Sequence, residues 1–262
     1  MVVGFLITAR LKSKRLPRKI LLDICGKPAI CHMLDRIKRA KRIDKIVVCT
    51  STNSQDDALV PIAAREKVSC YRGSEEDVLA RLYGAAVEHQ VDYVVNITAD
   101  CPLVDPVHID QIVDTYESTG ADLITASQLP AGQRPYGIKV RALKKVCEIK
   151  AETETEVWED YFTKCEMFKT LELEVDSEYR HPNLKTSLDY PDDYEFLKRL
   201  FSELYVPDRM FFFKDVLALV ARQPEILSIN ARCQAWGAEH VARTAAPPVK
   251  FKIERSAENR GR

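Results

Sequence analysis

The first half of the chain alternates short apolar runs with longer amphipathic stretches. The apolar runs, each flanked by polar residues, are typical of buried strands and cover residues 2–8, 45–50, 68–72, 93–98 and 122–126. Apolar positions at helical spacing follow Pro28 and recur over residues 56–67, 75–89 and 106–118. This alternation predicts an α/β protein with a mainly parallel sheet and helices on both faces. Ligands of such sheets bind at the carboxyl ends of strands, so the loops after strands are candidate functional segments.

After residue 126 the pattern changes. Residues 129–137 are rich in proline and glycine, and strand patterns at 138–140 and 170–175 indicate a smaller, more antiparallel element. A helix pattern returns over residues 191–205. We therefore expect one domain over residues 1–245 with a small inserted β-containing subdomain at about 128–185, followed by a tail or linker over 246–262.

The charge is balanced overall but unevenly distributed. The chain has 39 Lys and Arg against 39 Asp and Glu, and 46% of its 262 residues are hydrophobic, which is typical of a folded globular protein. This neutral balance argues against a general nucleic-acid-binding function. Residues 1–50 hold 13 Lys and Arg against three Asp, a net charge of +10, so the remainder carries −10. The positive charge is therefore concentrated near the first predicted strand.

Several classes of protein are disfavoured by simple patterns. No apolar run approaches the roughly 20 residues of a membrane-spanning helix, and the apolar start is followed by basic residues rather than a cleavage site. The eight cysteines are scattered, with no CxxC pair, which favours neither a zinc site nor a disulfide framework. We expect a cytoplasmic protein with reduced thiols and no membrane insertion.

The loop after the first strand is strongly basic. Its six cations are Arg10, Lys12, Lys14, Arg15, Arg18 and Lys19. Guanidinium forks and ammonium groups bind phosphate oxygens, so a loop of this composition could enclose a triphosphate. The alternative is a solvated basic stretch, but the place at a strand's carboxyl end favours a ligand site. Neither GxxxxGK[ST] nor GxGxxG occurs, so P-loop and dinucleotide-binding motifs are excluded.

Two aspartates and one further segment follow predicted strands. Asp100 and Asp189 could each reach over the sheet edge and hold Mg²⁺ beside a polyphosphate; the alternatives are a turn residue and a helix N-cap. In the segment RGSEEDVLAR, the residues from Arg72 to Ser74 could approach a nucleotide. The alternative is a helix start, with Ser74 as N-cap and an ion pair between Asp77 and Arg81.

Four ordered motifs resemble those of a known family. ITARLKSKRLPRKILLDICGKP at residues 7–28 resembles the triphosphate loop of cytidylyltransferases that activate acidic sugars, such as the CMP-sialate, CMP-legionaminate, CMP-pseudaminate and CMP-KDO synthetases. ITADCPLVDP and SLDYPDDY resemble the two metal-binding segments of that family. RGSEEDVLAR is similar to its counterpart in the spore-coat-polysaccharide branch. Together the motifs span about residues 3–205.

This resemblance implies a fold, a chemistry and a set of residues. The implied fold is the Rossmann-like, GT-A-like fold of nucleotide-diphospho-sugar transferases, and members often form homodimers through the segment between the metal motifs, here about 128–185. The residues implied to bind CTP are Ala9, Arg10, Ser13, Arg15, Lys19, Arg72, Gly73, Ser74 and Asp100. Asp100 and Asp189 are implied to hold Mg²⁺, and Arg10, Lys19 and Asp100 to be the catalytic residues.

The segments expected to contact the acceptor depart from the family pattern. EVWEDYF stands at residues 156–162, where relatives carry an EHVTPY-like segment, and PYGIKVR places Lys139 and Arg141 where relatives have acidic residues. The predicted acceptor contacts are Tyr136, Lys139 and Arg141. We expect transfer of CMP from CTP to an acidic sugar, with release of pyrophosphate, in surface glycan synthesis.

Three alternatives remain at this point. One is a phosphorylated acceptor, and another is a non-catalytic nucleotide-binding module of the same fold. A glycosyltransferase of similar fold is disfavoured, since such enzymes usually carry an Asp-x-Asp pair where this chain has Asp100 followed by Cys101 and Pro102.

Overall fold

A mostly parallel sheet of seven strands organises the fold. The computed structural model describes residues 1–236 and 249–252. The strands are β1 (Val3–Thr8), β2 (Asp23–Ile24), β3 (Lys27–Pro28), β4 (Lys45–Ser51), β5 (Ser69–Gly73), β6 (Tyr93–Thr98), β7 (Leu123–Thr125), β8 (Tyr136–Lys139) and β9 (Thr170–Glu172). Their order in the main sheet is β5-β4-β1-β6-β8-β7-β9, while β2 and β3 pair separately. β8 runs antiparallel to both of its neighbours, and the other pairs of the main sheet are parallel.

Helices cover both faces of this sheet. They are α1 (Ala29–Ile37), α2 (Leu59–Arg65), α3 (Val78–Glu88), α4 (Pro106–Thr119), α5 (Val140–Ile149), α6 (Asp160–Thr163), α7 (Pro191–Leu204) and α8 (Phe213–Arg222). Since side chains alternate along a strand, Phe5 and Ile7 of β1 pack with α1 and α4, whereas Leu6 packs with α3 and α5. The predicted α/β fold class is thus confirmed.

The strand predictions agree with the structure to within a few residues, and the largest differences lie after residue 120. The run at 122–126 contains only the short strand β7, and the run at 170–175 contains only β9. Helices α5, α6 and α8 were not predicted. No helix within residues 1–236 and 249–252 has the length and apolar character needed to cross a membrane.

The predicted tail is only partly within the described residues. Residues 246–248 and 253–262 lie outside them. The four described residues of this segment, 249–252, lie against the end of α5, where the amide of Lys252 donates to the carbonyl of Ile149 at 2.7 Å. Phe251 contacts the ring of Tyr161 edge to face, with centroids 5.8 Å apart.

Candidate active site

The site lies at the sheet edge where β1, β4 and β6 end. Thr8, the last residue of β1, is in register with Cys49 of β4 and with Thr98 of β6, so the loops that follow these strands leave the sheet side by side. A cavity of about 470 Å³ opens above this edge. Its lining includes Arg10, Ser13, Arg15, Lys19, Asp100 and Asp189. Six of the predicted site residues are therefore brought together around one cavity.

The basic loop is anchored to the protein interior by a hydrogen bond and by buried apolar side chains. The buried carboxylate of Asp56 accepts a hydrogen bond from the amide of Leu11 at 2.7 Å, and the side chains of Leu11 and Ile20 are buried. The loop turns at Arg18, which adopts a left-handed conformation with φ of 53° before a single 3₁₀ turn that begins at Lys19. The side chains of this loop that line the cavity are those of Arg10, Lys12, Ser13, Lys14, Arg15 and Lys19.

Lys19 lies between the two predicted metal ligands. Its Nζ is 2.8 Å from Oδ1 of Asp189 and forms a second ion pair with Oδ2 of Asp100. The second oxygen of each carboxylate is occupied by the protein: Oδ1 of Asp100 accepts from the hydroxyl of Thr98, and Oδ2 of Asp189 accepts from that of Ser187 at 3.1 Å. Each aspartate therefore presents one oxygen to a common point that the ammonium of Lys19 now holds.

Lys19 and Asp189 each favour the charged form of the other. Burial by itself would lower the pKa of Lys19, but the carboxylates of Asp100 and Asp189 outweigh it and raise that pKa above its ordinary value. Burial would raise the pKa of Asp189, but the ammonium groups of Lys19 and Lys185 outweigh it and lower that pKa well below its usual range. Both carboxylates thus face a strongly favoured cation position.

This arrangement fits a divalent cation. Carboxylate oxygens are the ligands that Mg²⁺ prefers, and magnesium sites usually combine one or two carboxylates with substrate phosphates and water. Asp100 follows β6, whereas Asp189 lies in the loop before α7. Only an isolated bridge at Lys185 precedes Asp189, so its predicted place after a strand is wrong. Both aspartates face the ammonium of Lys19. The ammonium of Lys19 supplies the positive charge at this point, and its flexible side chain can turn away from the two aspartates.

Further cations of the loop are also paired with carboxylates. Arg10 forms an ion pair with Glu156 at 2.8 Å, and Lys12 forms one with Glu75 at 2.9 Å. Arg15 donates to Asp189 at 3.2 Å and lies over the ring of Tyr190. A triphosphate that binds this loop must therefore replace internal carboxylates at each of these cations.

The predicted nucleoside-contacting residues do not line the cavity. Arg72 donates to the carbonyl of Ser51 at 3.0 Å and pairs with Asp57 at 2.6 Å, which turns its guanidinium toward the loop after β4. A side chain on Gly73 would contact the ring of Tyr71 at 2.9 Å, so this glycine permits a close packing contact. Ala9 is buried, and its amide donates to the carbonyl of Cys49.

The start of α3 differs from the predicted alternative, in which Ser74 caps the helix and Asp77 pairs with Arg81. Asp77, not Ser74, caps the helix, since its carboxylate accepts from the amide of Ala80 at 3.0 Å, while the hydroxyl of Ser74 accepts from the amide of Asp77. Asp77 pairs with Lys150 rather than with Arg81. The segment reaches the cavity instead through Glu76 and Val78.

Only one of the three predicted acceptor residues lies near the cavity. The hydroxyl of Tyr136 donates to Glu159 at 2.8 Å, and its ring contacts Trp158, which lines the cavity. Lys139 is in register with Tyr93, the first residue of β6, and faces Asp122. It therefore lies at the amino end of β6, and the cavity is at the carboxyl end. Arg141 is exposed on α5. Because β8 runs antiparallel to β6, three residues along it carry the chain about 10 Å away from the site.

An acidic segment also lines the cavity. Glu156 and Trp158 belong to EVWEDYF, which was expected to contact the acceptor, but the pairing of Glu156 with the basic loop was not predicted. Glu154, Glu156 and Trp158 line the wall opposite the basic loop. The segment is anchored by the buried Thr155, whose hydroxyl donates to Asp77 at 3.0 Å. The concentration of acidic residues between 151 and 195 was a usable signal, because a basic loop needs a counter-charge while its ligand is absent.

Comparison with known proteins places these features in a family. A family model described as cytidylyltransferase matches residues 5–209. An uncharacterized protein of Methanocaldococcus jannaschii is 28% identical over 88% of this chain and 94% of its own. The spore coat polysaccharide biosynthesis protein SpsF of Bacillus subtilis is 25% identical over 76% of this chain and 86% of its own. A 3-deoxy-manno-octulosonate cytidylyltransferase of Brucella ovis is 39% identical, over 46% of this chain and 48% of its own.

Solved structures show the same fold. A cytidylyltransferase of Leptospira borgpetersenii aligns with a TM-score of 0.78 at 30% identity, over 87% of this chain and 97% of that one. A CMP:2-keto-3-deoxy-manno-octonic acid synthetase in complex with CTP aligns with a TM-score of 0.64 at 15% identity, over 78% of this chain and all of that one. A Mycobacterium tuberculosis protein in complex with manganese aligns with a TM-score of 0.53 at 18% identity, over 76% of this chain and 98% of that one. The family match and the shared fold lead to one conclusion: the chain belongs to the cytidylyltransferase family, whose members are nucleotidyltransferases that use CTP.

Proposed function

We propose that the protein transfers CMP from CTP to an acidic sugar, with release of pyrophosphate, in the synthesis of a surface glycan. One observation carries this proposal: Asp100, just after β6, and Asp189, in the loop before α7, both face the ammonium of Lys19 beside a basic loop in one cavity. The relatives named for spore coat polysaccharide and for octulosonate activation support the glycan context.

The basic loop would hold the triphosphate. Arg15 and Lys19 would bind the β- and γ-phosphates, Ser13 would donate to a phosphate oxygen, and Arg10 would lie near the α-phosphate. An acceptor oxygen then attacks the α-phosphorus in line with the departing pyrophosphate: a P–O bond to the acceptor forms, the bond to the β-phosphate oxygen breaks, and a hydroxyl acceptor releases its proton. The protein's contribution is chiefly positioning and charge stabilisation.

Asp100 and Asp189 would hold the metal, for which we propose Mg²⁺. When bound, the ion supplies positive charge to the α-phosphate and to the leaving pyrophosphate. The manganese complex of a protein of the same fold agrees with the use of a divalent cation. CTP draws Lys19 away from the two aspartates, which would leave two carboxylates facing a triphosphate. CTP and the metal should therefore bind more tightly together than separately.

The acceptor would lie against Glu154, Glu156 and Trp158 and near the ring of Tyr136. Tyr136 is the acceptor candidate that the structure brings to the cavity rim. An acidic sugar is favoured over a phosphorylated acceptor by the named activities of the relatives alone, so both classes belong in the test.

We also propose that two copies associate through residues of the segment at about 128–185. This segment includes β9, which forms one edge of the main sheet and can pair with a second chain. Sedimentation analysis of wild-type protein should give a dimer, and a monomer at all concentrations would contradict this part of the proposal.

The decisive experiment is a pyrophosphate-release screen with Mg²⁺. Each of the four nucleoside triphosphates is paired with eight- and nine-carbon 2-keto acid sugars and with phosphorylated acceptors. We expect release only with CTP and an acidic sugar, loss of turnover in Asp100→Ala, and normal turnover in Asp114→Ala, a control at an exposed position on α4. Release only with a phosphorylated sugar would replace the acceptor class, and CTP binding without release would indicate a non-catalytic module.

A further inference from the structure

The carboxylate of Asp189 is held from behind by a buried ammonium group. Its Oδ1 faces Lys19 and the cavity, while Oδ2 is 3.0 Å from Nζ of Lys185. Lys185 is buried, and its Nζ also donates to the carbonyl of Ser187 at 2.8 Å. These contacts fix which oxygen of Asp189 faces the cavity.

A second buried carboxylate holds the backbone at the same place. Asp193 is completely buried, and its Oδ2 pairs with Lys185 and accepts from the amides of Asp189 and Tyr190, both at 3.0 Å. Its other oxygen, Oδ1, accepts from Nδ2 of Asn230 at 2.9 Å. Asn230 also donates to the carbonyl of Lys185 at 3.0 Å. A continuous set of buried hydrogen bonds therefore connects Asn230 to both the side chain and the backbone of Asp189.

The buried hydrogen bonds among Lys185, Asp193, Asn230 and Asp189 are not explained by folding stability alone. A buried ion pair loses hydration on folding, and well-packed apolar residues of similar volume often stabilise a protein as well or better. Around Lys185 and Asp193 the donors and acceptors are nevertheless paired in detail, directly behind one of the two carboxylates of the site. Outer-shell hydrogen bonds of this kind orient metal ligands.

We propose that Lys185, Asp193 and Asn230 are positioning residues that orient Asp189 toward the metal, an inference that rests on the metal role in the proposed function. Asn230 lies beyond residue 209, where the family match ends. The segment that follows the matched region therefore contributes a residue to the surroundings of Asp189. Neither Lys185 nor Asn230 lines the cavity. Lys185 acts on Asp189 directly, and Asn230 acts through Lys185 and Asp193.

The test measures metal binding directly. Mn²⁺ is titrated into full-length protein in molar excess over CTP, and into CTP alone for subtraction, and free Mn²⁺ is followed by electron paramagnetic resonance. Asn230→Ala should weaken Mn²⁺ binding by about 10- to 100-fold, the usual effect of removing an outer-shell partner. The matched control is Gln234→Ala, which removes a hydrogen bond to the carbonyl of Pro182 in the same segment and should leave Mn²⁺ binding unchanged.

A second pair of variants separates orientation from folding. Lys185→Met removes the charge at similar length, whereas Lys185→Arg retains it, and we expect Mn²⁺ affinity to fall in the first and to be largely retained in the second. Thermal unfolding of each variant shows that the folded protein is being titrated. Wild-type Mn²⁺ affinity in folded Asn230→Ala would overturn the positioning role and leave a purely structural one. If wild-type protein with CTP bound no Mn²⁺, the proposed metal site itself would fail.

Discussion

Replacing Lys19 by methionine should have opposite effects on two ligands. Methionine keeps the length of the side chain but removes the ammonium that lies between Asp100 and Asp189. Asp100 is then left without its cation, whereas Asp189 keeps its contacts with Arg15 and Lys185. We expect Lys19→Met to be less stable than wild type without metal, to gain more stability from Mg²⁺ than wild type gains, and to bind CTP more weakly.

The size of the effect follows from the geometry. At the 2.8 Å separation between Lys19 and Asp189, the Coulomb attraction at an effective dielectric constant of 20 is about 6 kcal/mol. Desolvation offsets much of it, and removing one partner of a buried pair typically costs about 3–5 kcal/mol. The side chains of Lys19 and Asp189 are 12% and 18% exposed, so solvent screens them only partly, and we expect the lower end of that range.

The loss should be reversed by a divalent cation, because the ion would take the position that the ammonium leaves. In wild type the metal must first displace Lys19, so its stabilising effect is smaller. The lost contact to phosphate should weaken CTP binding by about 10- to 100-fold, since hydrogen bonds to charged groups contribute roughly 1.5–3 kcal/mol.

Urea unfolding with and without MgCl₂ measures the stability, and calorimetric titration measures CTP binding. Lys38→Met is the matched control, since Lys38 lies just after α1 and pairs with Glu66 away from the cavity. Equal stabilisation of wild type and Lys19→Met by Mg²⁺ would refute the idea that the two carboxylates form a cation site. An unchanged CTP titration would refute the role of Lys19 in the triphosphate loop.

Three further substitutions test other parts of the structure. Glu156→Gln removes the carboxylate that competes for Arg10, so calorimetric titration should show CTP binding that is tighter by up to about fivefold, since an exposed pair contributes at most about 1 kcal/mol. Gly132→Ala should lower the free energy of unfolding in urea by about 3 kcal/mol or more, because φ is +93° and the new Cβ would lie 2.4 Å from the backbone nitrogen of Ser187. His108→Phe should flatten the pH dependence of unfolding below about pH 6.5: burial lowers the pKa of His108 in the folded state, so the unfolded chain takes up the proton first and wild-type stability falls as the pH drops.

Each of these predictions has a contrasting measurement. Gly26→Ala also places a side chain at positive φ but in open space, so it should cost less than Gly132→Ala; equal costs would contradict the clash. Weaker CTP binding in Glu156→Gln would mean that Glu156 contacts the nucleotide rather than competing with it. A pH profile of His108→Phe that is parallel to wild type would assign the proton uptake to another group, such as His32, whose pKa burial also lowers.

The fold and the main charged groups follow from local pattern. The periodicities of strands and helices are set within about ten residues, and the rule that ligands bind at carboxyl ends of strands located the basic loop and Asp100 without any tertiary information. The same reasoning missed α6, which is a single turn, and also α5 and α8, although each of these two has ten residues and an apolar stripe. It also did not predict that Glu156, in the acidic stretch at residues 151–195, supplies a counter-charge to Arg10.

The sequence alone determined which chemistry the chain could carry: a cationic loop, two aspartates in loops and the α/β framework that presents them. Only the tertiary structure decided which side chains meet. The antiparallel direction of β8 brings Tyr136 to the cavity rim and takes Lys139 to the far edge of the sheet. Asn230 reaches Asp193 across 37 residues of chain, and Arg15 reaches Asp189 across 174. Such contacts depend on strand direction, register and packing between distant segments, and none of these is encoded in the periodicity of a single segment.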